Sequence, residues 1–275
     1  DNIVYPDKNK NLVEYLAIKY SFQEWMVKRW LDIYGEVFTE NILKNSNENP
    51  DFCISVNTLK ISTEAFQKKL KEKGIESYRS KYIDNSLIIS NPSGITDSEL
   101  FRDGYFHVQD QASMLVSRVL DPKPGELVID VCSAPGGKTA NIVQLMGNQG
   151  AVIARDIHPH KVKLVSDTAN RLGLKIVKTE LHDATITDPS YIRKVDRVLV
   201  DAPCTGLGII RRKPDIKWSR TEKDAEELSE LQLKILTASS KYVKENGVLV
   251  YSTCTIEPLE NIEVVNKFLG LDNNF

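Results

Sequence analysis

The residues best suited to chemistry form one turn, Ser133-Ala134-Pro135-Gly136-Gly137-Lys138-Thr139, set between an apolar run and an amphipathic one. Adjacent glycines let the backbone approach a ligand closely, and the start of a helix presents free N–H groups to an anion. A phosphate-binding P-loop is the first reading to test. Gly137-Lys138-Thr139 matches its end, but its first glycine belongs at position 132, where Cys132 stands. The G-x-G-x-x-G dinucleotide fingerprint is missing too. What remains is a nucleoside-type cofactor with a carboxylate or phosphate near this turn and a ribose met by an acidic residue ending the second strand. Asp156 stands there, 19 residues after Gly137. Asp183 and Asp201 add two carboxylates past later apolar runs; the plain alternative is that each caps a turn.

Thiol chemistry is the second possibility. Cys53, Cys132, Cys204 and Cys254 are scattered without a C-x-x-C pair, which speaks against a structural zinc site and against a dense disulfide scaffold. Cys132, Cys204 and Cys254 each end an apolar run. In a doubly wound sheet whose order reverses beside its first strand, those three strands are neighbours about 4.8 Å apart. A nucleophilic thiol then fits better than three buried hydrophobes, the ordinary role of cysteine. A zinc site would want a fourth ligand, and none of His107, His158, His160 or His182 is placed for it, so no metal is expected. Just beyond Cys204, after Gly206 and Gly208, the run Arg211-Arg212-Lys213 suits phosphate contacts; its bland reading is a solvated charge run.

The elements that must carry these residues are legible from periodicity. Short apolar runs at 127–132, 151–156, 175–181, 197–202 and 247–253 predict strands. Amphipathic stretches at 138–147, 159–172, about 221–245 and 257–269 predict helices, with Pro159 in a first turn and Gly173 at an end. Near-continuous apolar strands separated by helices mean a parallel sheet covered on both faces, with its ligand at the strands' carboxyl ends. Upstream, Ser21-Phe22-Gln23-Glu24 has the form of a capping box, Phe22, Trp25, Met26, Trp30 and Ile33 recur at helical spacing as core, and Gly35 supplies a stop. Residues 53–59, 75–78 and 87–89 read as strands around a helix from Ser62 or Thr63 to Lys73, and 109–120 reads as a connecting helix. Lys68-Lys69, Lys71 and Lys73 read as an exposed helix face.

Composition sets the outer limits. The 275 residues carry 36 Lys and Arg against 38 Asp and Glu, a net charge of −2, which by itself argues against a nucleic-acid partner. The local basic run overrules that average. No run of about 18 apolar residues and no secretory leader is present, so a cytoplasmic protein with no membrane partner is expected. The chain opens at Asp1 and ends in Asp272-Asn273-Asn274-Phe275, and reads as the two central modules of a longer enzyme.

Taken together, the residues carry a resemblance. Asp130-Val131-Cys132-Ser133-Ala134-Pro135-Gly136-Gly137-Lys138-Thr139, Asp201-Ala202-Pro203-Cys204, the segment from Ile210 to Trp218, and Ser252-Thr253-Cys254 resemble the signatures of the Nol/Nop/Sun family of RNA cytosine-5 methyltransferases. The match extends through Val56-Asn57-Thr58-Leu59-Lys60 and Val108-Gln109-Asp110-Gln111-Ala112-Ser113. Tyr5-Pro6-Asp7 and Tyr20-Ser21-Phe22-Gln23-Glu24-Trp25 resemble the bacterial Sun (Fmu, RsmB) branch, which acts on 16S ribosomal RNA.

The resemblance implies an α/β fold: a Rossmann-like class I S-adenosylmethionine-dependent methyltransferase sheet at 109–275, truncated at its carboxyl end, behind a small α+β RNA-binding module at 51–108 and a helical linker region at 1–50. It implies seven strands, of which five are readable, and a preceding helical, NusB-like domain. It implies a thiolate that adds to cytosine C6 so that C5 can accept the methyl group of S-adenosylmethionine, and loss of the C5 proton then expels the thiol. Cys254 is the implied attacking thiol and Cys204 the one that helps release product. Asp201 would hydrogen-bond the cytosine, with Lys138 orienting it and favouring thiolate. Cys132, Ser133, Ala134, Pro135, Gly136, Gly137, Lys138, Asp156, Asp183 and Asp201 are the implied cofactor contacts, and small-subunit ribosomal RNA the partner of a monomeric enzyme. A non-catalytic RNA-binding or ribosome-assembly factor on the same scaffold is the alternative, against which intact Cys204 and Cys254 speak.

Overall fold

A computed structural model of the chain describes residues 5–272 and residue 275; the terminal residues of the sequence reading outside these bounds lie outside the described residues. Helices α1 (Leu12–Tyr20) and α2 (Glu24–Ser46) lead to β1 (Phe52–Val56), α3 (Thr63–Glu72), β2 (Ser77–Arg79), β3 (Ser86–Ile89), a short α4 (Glu99–Arg102) and β4 (Phe106–Val108). There follow α5 (Gln111–Leu120), β5 (Leu127–Asp130), α6 (Gly137–Leu145), β6 (Ala151–Asp156), α7 (Pro159–Leu172), β7 (Val177–Leu181), β8 (Val195–Asp201), α8 (Ile216–Ser219), α9 (Glu222–Ser240), β9 (Val243–Ser252) and α10 (Ile262–Leu271). Among the described residues no helix is long and apolar enough to cross a membrane.

One compact unit comprises Asp51–Ala202 and Leu233–Ser252. Its larger sheet has the order β7-β6-β5-β8-β9, every pair parallel. The strand order reverses beside β5, and the carboxyl ends of β5 and β8 are where such a sheet takes its ligand. Val128, Val152 and Leu199 from three of these strands pack with Ala140, Ile142, Val143 and Met146 of the α6 region and Leu172 of α7. The described sheet therefore has the five strands read from the sequence rather than the seven of the resemblance.

The smaller sheet is antiparallel, with the order β2-β3-β1-β4. Ser62 caps α3 by accepting the Ala65 N–H, and the helix buries Phe66 and Leu70 against Ile54, Val56, Leu87 and Phe106. Asn57 Nδ2 donates to the carbonyls of Gly104 and Leu172, both at 2.8 Å, tying this sheet to the end of α7. Gly104 has a left-handed φ of 69°, and a Cβ there would collide with the Arg171 carbonyl, so only glycine suits this close approach.

The second unit comprises the described residues up to Pro50, Pro203–Gln232, and the described residues from Thr253 onward. Leu16, Phe22, Met26, Val27, Trp30 and Leu43 form its core with Leu207, Ile210 and Ile216. Phe22 and Trp30 meet edge to face with ring centroids 5.7 Å apart. Phe22, in the turn before α2, and Trp30 are thus core as expected, whereas Ile33 is 40% exposed.

Three local readings need correction, and one strand was missed. Ser21 does not open a capping box: it closes α1 in a left-handed conformation, φ 57°, its N–H turned back to that helix, so Gln23 stands as the N-cap of α2 without a side-chain bond. Gly35 breaks the helical dihedrals, with φ 75° and ψ 174°, but the chain resumes as helix to Ser46 instead of stopping. The long helix ends at Ser240, not 245, because Tyr242 is buried and β9 begins at Val243. Its polar start, Lys244-Glu245-Asn246, sits at a register shift against β8 and mimics a helix tail. Finally, β4 was not anticipated: three residues carry too little period to be read.

Candidate active site

At the carboxyl end of β5 the chain turns sharply. The Ser133 N–H and hydroxyl both donate to the Arg155 carbonyl, at 2.8 and 2.9 Å, which pins the turn to β6. Gly136 adopts φ 104°, and Gly137 opens α6 with no side chain capping the helix. The first-turn amides of Gly137, Lys138 and Thr139 are therefore left for a ligand, the arrangement that suits an anionic group. Gly137 also has no room for a larger residue at ease: a Cβ would stand 3.3 Å from the Gln109 carboxamide. Asp156 ends the adjacent β6 with Oδ1 accepting the His158 N–H at 3.0 Å. Amide donors on one strand end and a carboxylate on the next are the donor set of a nucleoside cofactor bearing a carboxylate, so these residues fit S-adenosylmethionine.

Asp183 differs. Its Oδ1 accepts both the N–H and the hydroxyl of Thr185, at 2.9 and 2.7 Å, and those bonds hold its carboxyl below the usual range. It caps its own turn, the plain role allowed for it above. Cys132 is likewise not poised as a nucleophile: burial first, then Asp130, Asp156 and Asp201, push its thiol well above the ordinary range. Lys138 and Asp201 do meet. Lys138 Nζ lies 2.6 Å from Asp201 Oδ2, while Asp201 Oδ1 accepts the hydroxyl of Ser252, its partner across the β8–β9 ladder, at 2.7 Å. Both oxygens of Asp201 are thus aimed by donors.

Two buried titratable groups flank the glycine turn, and nothing in the sequence marks either as buried. Asp130 is fully buried, Oδ2 accepting the Thr139 hydroxyl at 2.7 Å and Oδ1 without a hydrogen-bond partner; desolvation pushes it up to about 7 from 3.8. His107 is pushed down to about 4 from 6.5, again chiefly by burial, with Nε2 2.8 Å from Gln109 Oε1. Between about pH 4 and 6.5 the folded state keeps the Asp130 proton that the unfolded chain has lost, so this group makes stability fall as pH rises to about 7. In the same window folded His107 is neutral while the unfolded chain holds the proton, so this group makes stability rise. The two slopes oppose each other. Asp130→Asn is expected to unmask a melting temperature that climbs from pH 4.5 to 6.5, and His107→Gln one that falls from pH 4.5 to 7, each worth ~3 kcal/mol. Thermal melts that run parallel to the wild type across this range would refute the opposing pair.

The second unit carries the other thiols. Cys204 and Cys254 Sγ are 3.0 Å apart, and the Cys254 N–H also donates to Cys204 Sγ at 3.2 Å. The Cys254 contact, with burial behind it, pushes the Cys204 thiol far up, while Cys254 is the more exposed of the two. The Gly208 N–H donates to the Cys254 carbonyl at 3.0 Å, where a Cβ on residue 208 would intrude at 2.8 Å. An accessible thiol beside a second, proton-holding thiol is equipped for nucleophilic addition and proton transfer. Arg211 and Lys213 are exposed and Arg212 is half-buried, between Ile210 and Ile216, which anchor the segment in the core. Lys217 behaves otherwise: it is buried, paired with Asn47 and set 4.2 Å from the Phe22 ring. Among the described residues no group of three or more His, Cys, Asp or Glu is set to hold a metal.

Comparison with known proteins shows the family. A family model described as 16S rRNA methyltransferase RsmB/F matches residues 117–275, and one described as the ferredoxin-like domain of RsmF/B-like methyltransferases matches 22–96. The chain is 40% identical over 264 residues to a probable ribosomal RNA small subunit methyltransferase B of Bacillus subtilis, covering 96% of this chain and 59% of that one. It is 35% identical over 251 residues to the ribosomal RNA small subunit methyltransferase B of Serratia proteamaculans, covering 91% and 58%. It therefore spans about three fifths of the curated relatives it matches. Among solved structures it resembles PH0851, with a TM-score of 0.91 and 37% identity over 98% of this chain and 61% of that one. It also resembles NSun6 from Pyrococcus horikoshii, solved with SFG, with a TM-score of 0.80 and 26% identity over 89% and 86%. With the parallel sheet, the glycine turn and the Pro-Cys and Thr-Cys segments all in place, the chain belongs to the RsmB/F family of 16S rRNA methyltransferases.

Proposed function

We propose that this protein transfers a methyl group from S-adenosylmethionine to C5 of a cytosine in RNA, in particular 16S ribosomal RNA, through a covalent bond from Cys254 to C6. The observation that carries the reading is the pair of thiols 3.0 Å apart on the Pro-Cys and Thr-Cys segments. When bound, S-adenosylmethionine supplies an electrophilic methyl group. The chain supplies the rest. Cytosine C5 is a poor nucleophile until a thiolate adds to C6, and Cys254, the more exposed sulfur, is assigned that addition. Asp201, aimed by Lys138 and Ser252, is assigned the cytosine ring, where a carboxyl can share a proton with N3. Loss of the C5 proton to solvent then expels the Cys254 sulfur, and Cys204, its protonated thiol 3.0 Å away, is assigned to assist that release. Ser133 to Lys138, with Cys132, Asp156 and Asp183, are assigned to the cofactor.

RNA phosphates are assigned to Arg211, Arg212 and Lys213, and the target base must be unstacked, since C6 is attacked from its face. The module at 51–108 is assigned to positioning RNA, and 109–275 to catalysis. The reading places the enzyme in the cytoplasm with its ribosomal substrate, acting as a monomer. Incubation with small-subunit ribosomal RNA and methyl-labelled S-adenosylmethionine, followed by mapping of the label, is expected to show 5-methylcytosine at a single position. Binding of RNA without any transfer by the full-length protein would instead favour an assembly factor.

A further inference from the structure

Each of the paired thiols is followed by a threonine, Thr205 and Thr255, and both are buried with their hydroxyl oxygens 2.9 Å apart. Glu260, with no exposed surface, joins them. Its Oε2 accepts the Thr205 N–H at 2.8 Å and an N–H of Gln232 at 2.9 Å, and its Oε1 accepts the Thr205 hydroxyl. A carboxylate only accepts, so the Thr205 proton is committed to Glu260, and the Thr205 oxygen must receive the proton of Thr255. The Thr255 oxygen in turn accepts the Glu257 N–H at 3.2 Å. The Gln232 amide that meets Glu260 also donates to the Pro203 carbonyl at 2.8 Å. Residues on both sides of Cys204 and the residue after Cys254 thus hang on one buried carboxyl group.

We infer that Glu260 is a positioning residue for the two thiols, locking the segments that carry Cys204 and Cys254 into the register in which their sulfurs touch. Being wholly buried, it cannot meet substrate. Burying a carboxylate is costly unless it is hydrogen-bonded, and here it takes the N–H and hydroxyl of Thr205 directly, Thr255 through that hydroxyl, and Pro203 through Gln232. An apolar side chain would fill the same volume without fixing the direction of any of these hydrogen bonds. The consequence for turnover rests on the methyl-transfer reading above; the consequence for the sulfurs does not.

The test uses the full chain with Glu260→Gln and, in case that variant fails to fold, Thr255→Val, which removes the bridging hydroxyl but keeps the shape. Sulfur apposition is read without RNA as the rate at which the oxidant diamide converts the Cys204 and Cys254 thiols to a disulfide. Two thiol protons and two electrons pass to the diazene, which becomes the hydrazine, as the S–S bond forms. The expected result is cross-linking slowed about tenfold in both variants. Single-turnover methyl transfer is expected to fall about 100-fold, as small misplacements do, with the Kd for S-adenosylmethionine within twofold of wild type. Cross-linking at the wild-type rate in a folded variant overturns the inference. Slowed cross-linking with no methyl transfer by any version, wild type included, upholds the positioning role and removes the methyl-transfer reading instead.

Discussion

Cys254→Ala is expected to abolish methyl transfer, by at least ~10⁴-fold, whereas Cys204→Ala is expected to leave RNA covalently held on the protein. The argument starts from the two sulfurs, 3.0 Å apart but in unequal surroundings. Cys204 is half-buried and accepts the Cys254 N–H; contact with its neighbour and burial hold its thiol protonated well above the usual range. Cys254 is exposed and is the one a base can approach. Without its sulfur no adduct forms at C6, and C5 keeps its low reactivity. Without Cys204 the addition proceeds but the expulsion step lacks its partner, so the adduct accumulates. Denaturing gels of protein mixed with labelled RNA distinguish the cases. A trapped band with the Cys254 variant would exchange the two roles, and full activity in both variants would end the thiol mechanism.

Asp201→Asn is expected to lower the single-turnover rate by about 10²- to 10³-fold while the protein stays folded. Asp201 takes Lys138 on one oxygen and Ser252 on the other. An amide of the same shape must turn its NH₂ toward one of those donors, and it cannot share a proton with a cytosine ring. Lys138, 17% exposed, is left without its counter-charge. A fully buried pair would cost more, but with Asp201 itself 26% exposed the expected loss is ~2 kcal/mol, visible in a urea midpoint. A rate within threefold of wild type would show that Asp201 is merely a structural partner of Lys138.

Much of the scaffold was legible beforehand. The runs at 127–132 and 151–156 became β5 and β6 almost to the residue, and Pro159 and Gly173 bounded α7 as expected, because a short continuous apolar run, a helix-opening proline and a left-handed glycine act within a few residues. The failures have a shared cause. Ser21 was claimed by the end of one helix before it could start the next, and Gly35 interrupted a helix whose continuation is held by Leu43 in the core. In both places packing outweighed the local signal.

The sequence by itself determined which residues stand at which strand ends: the glycine turn after β5, Asp156 closing β6, Asp201 closing β8 and the thiols a few residues beyond, since covalent order and local period suffice for that. Only the tertiary structure decided what each can do. It turned one oxygen of Asp183 onto its own turn, half-buried the Cys132 thiol, set Cys204 against Cys254 across 50 residues of chain, and placed Glu260, 55 residues from Thr205, where no water reaches it. A glutamate in a polar helix entry looks like a solvated one until its partners arrive. Burial and hydrogen-bond satisfaction are properties of the neighbours that folding brings, and no window of sequence contains them.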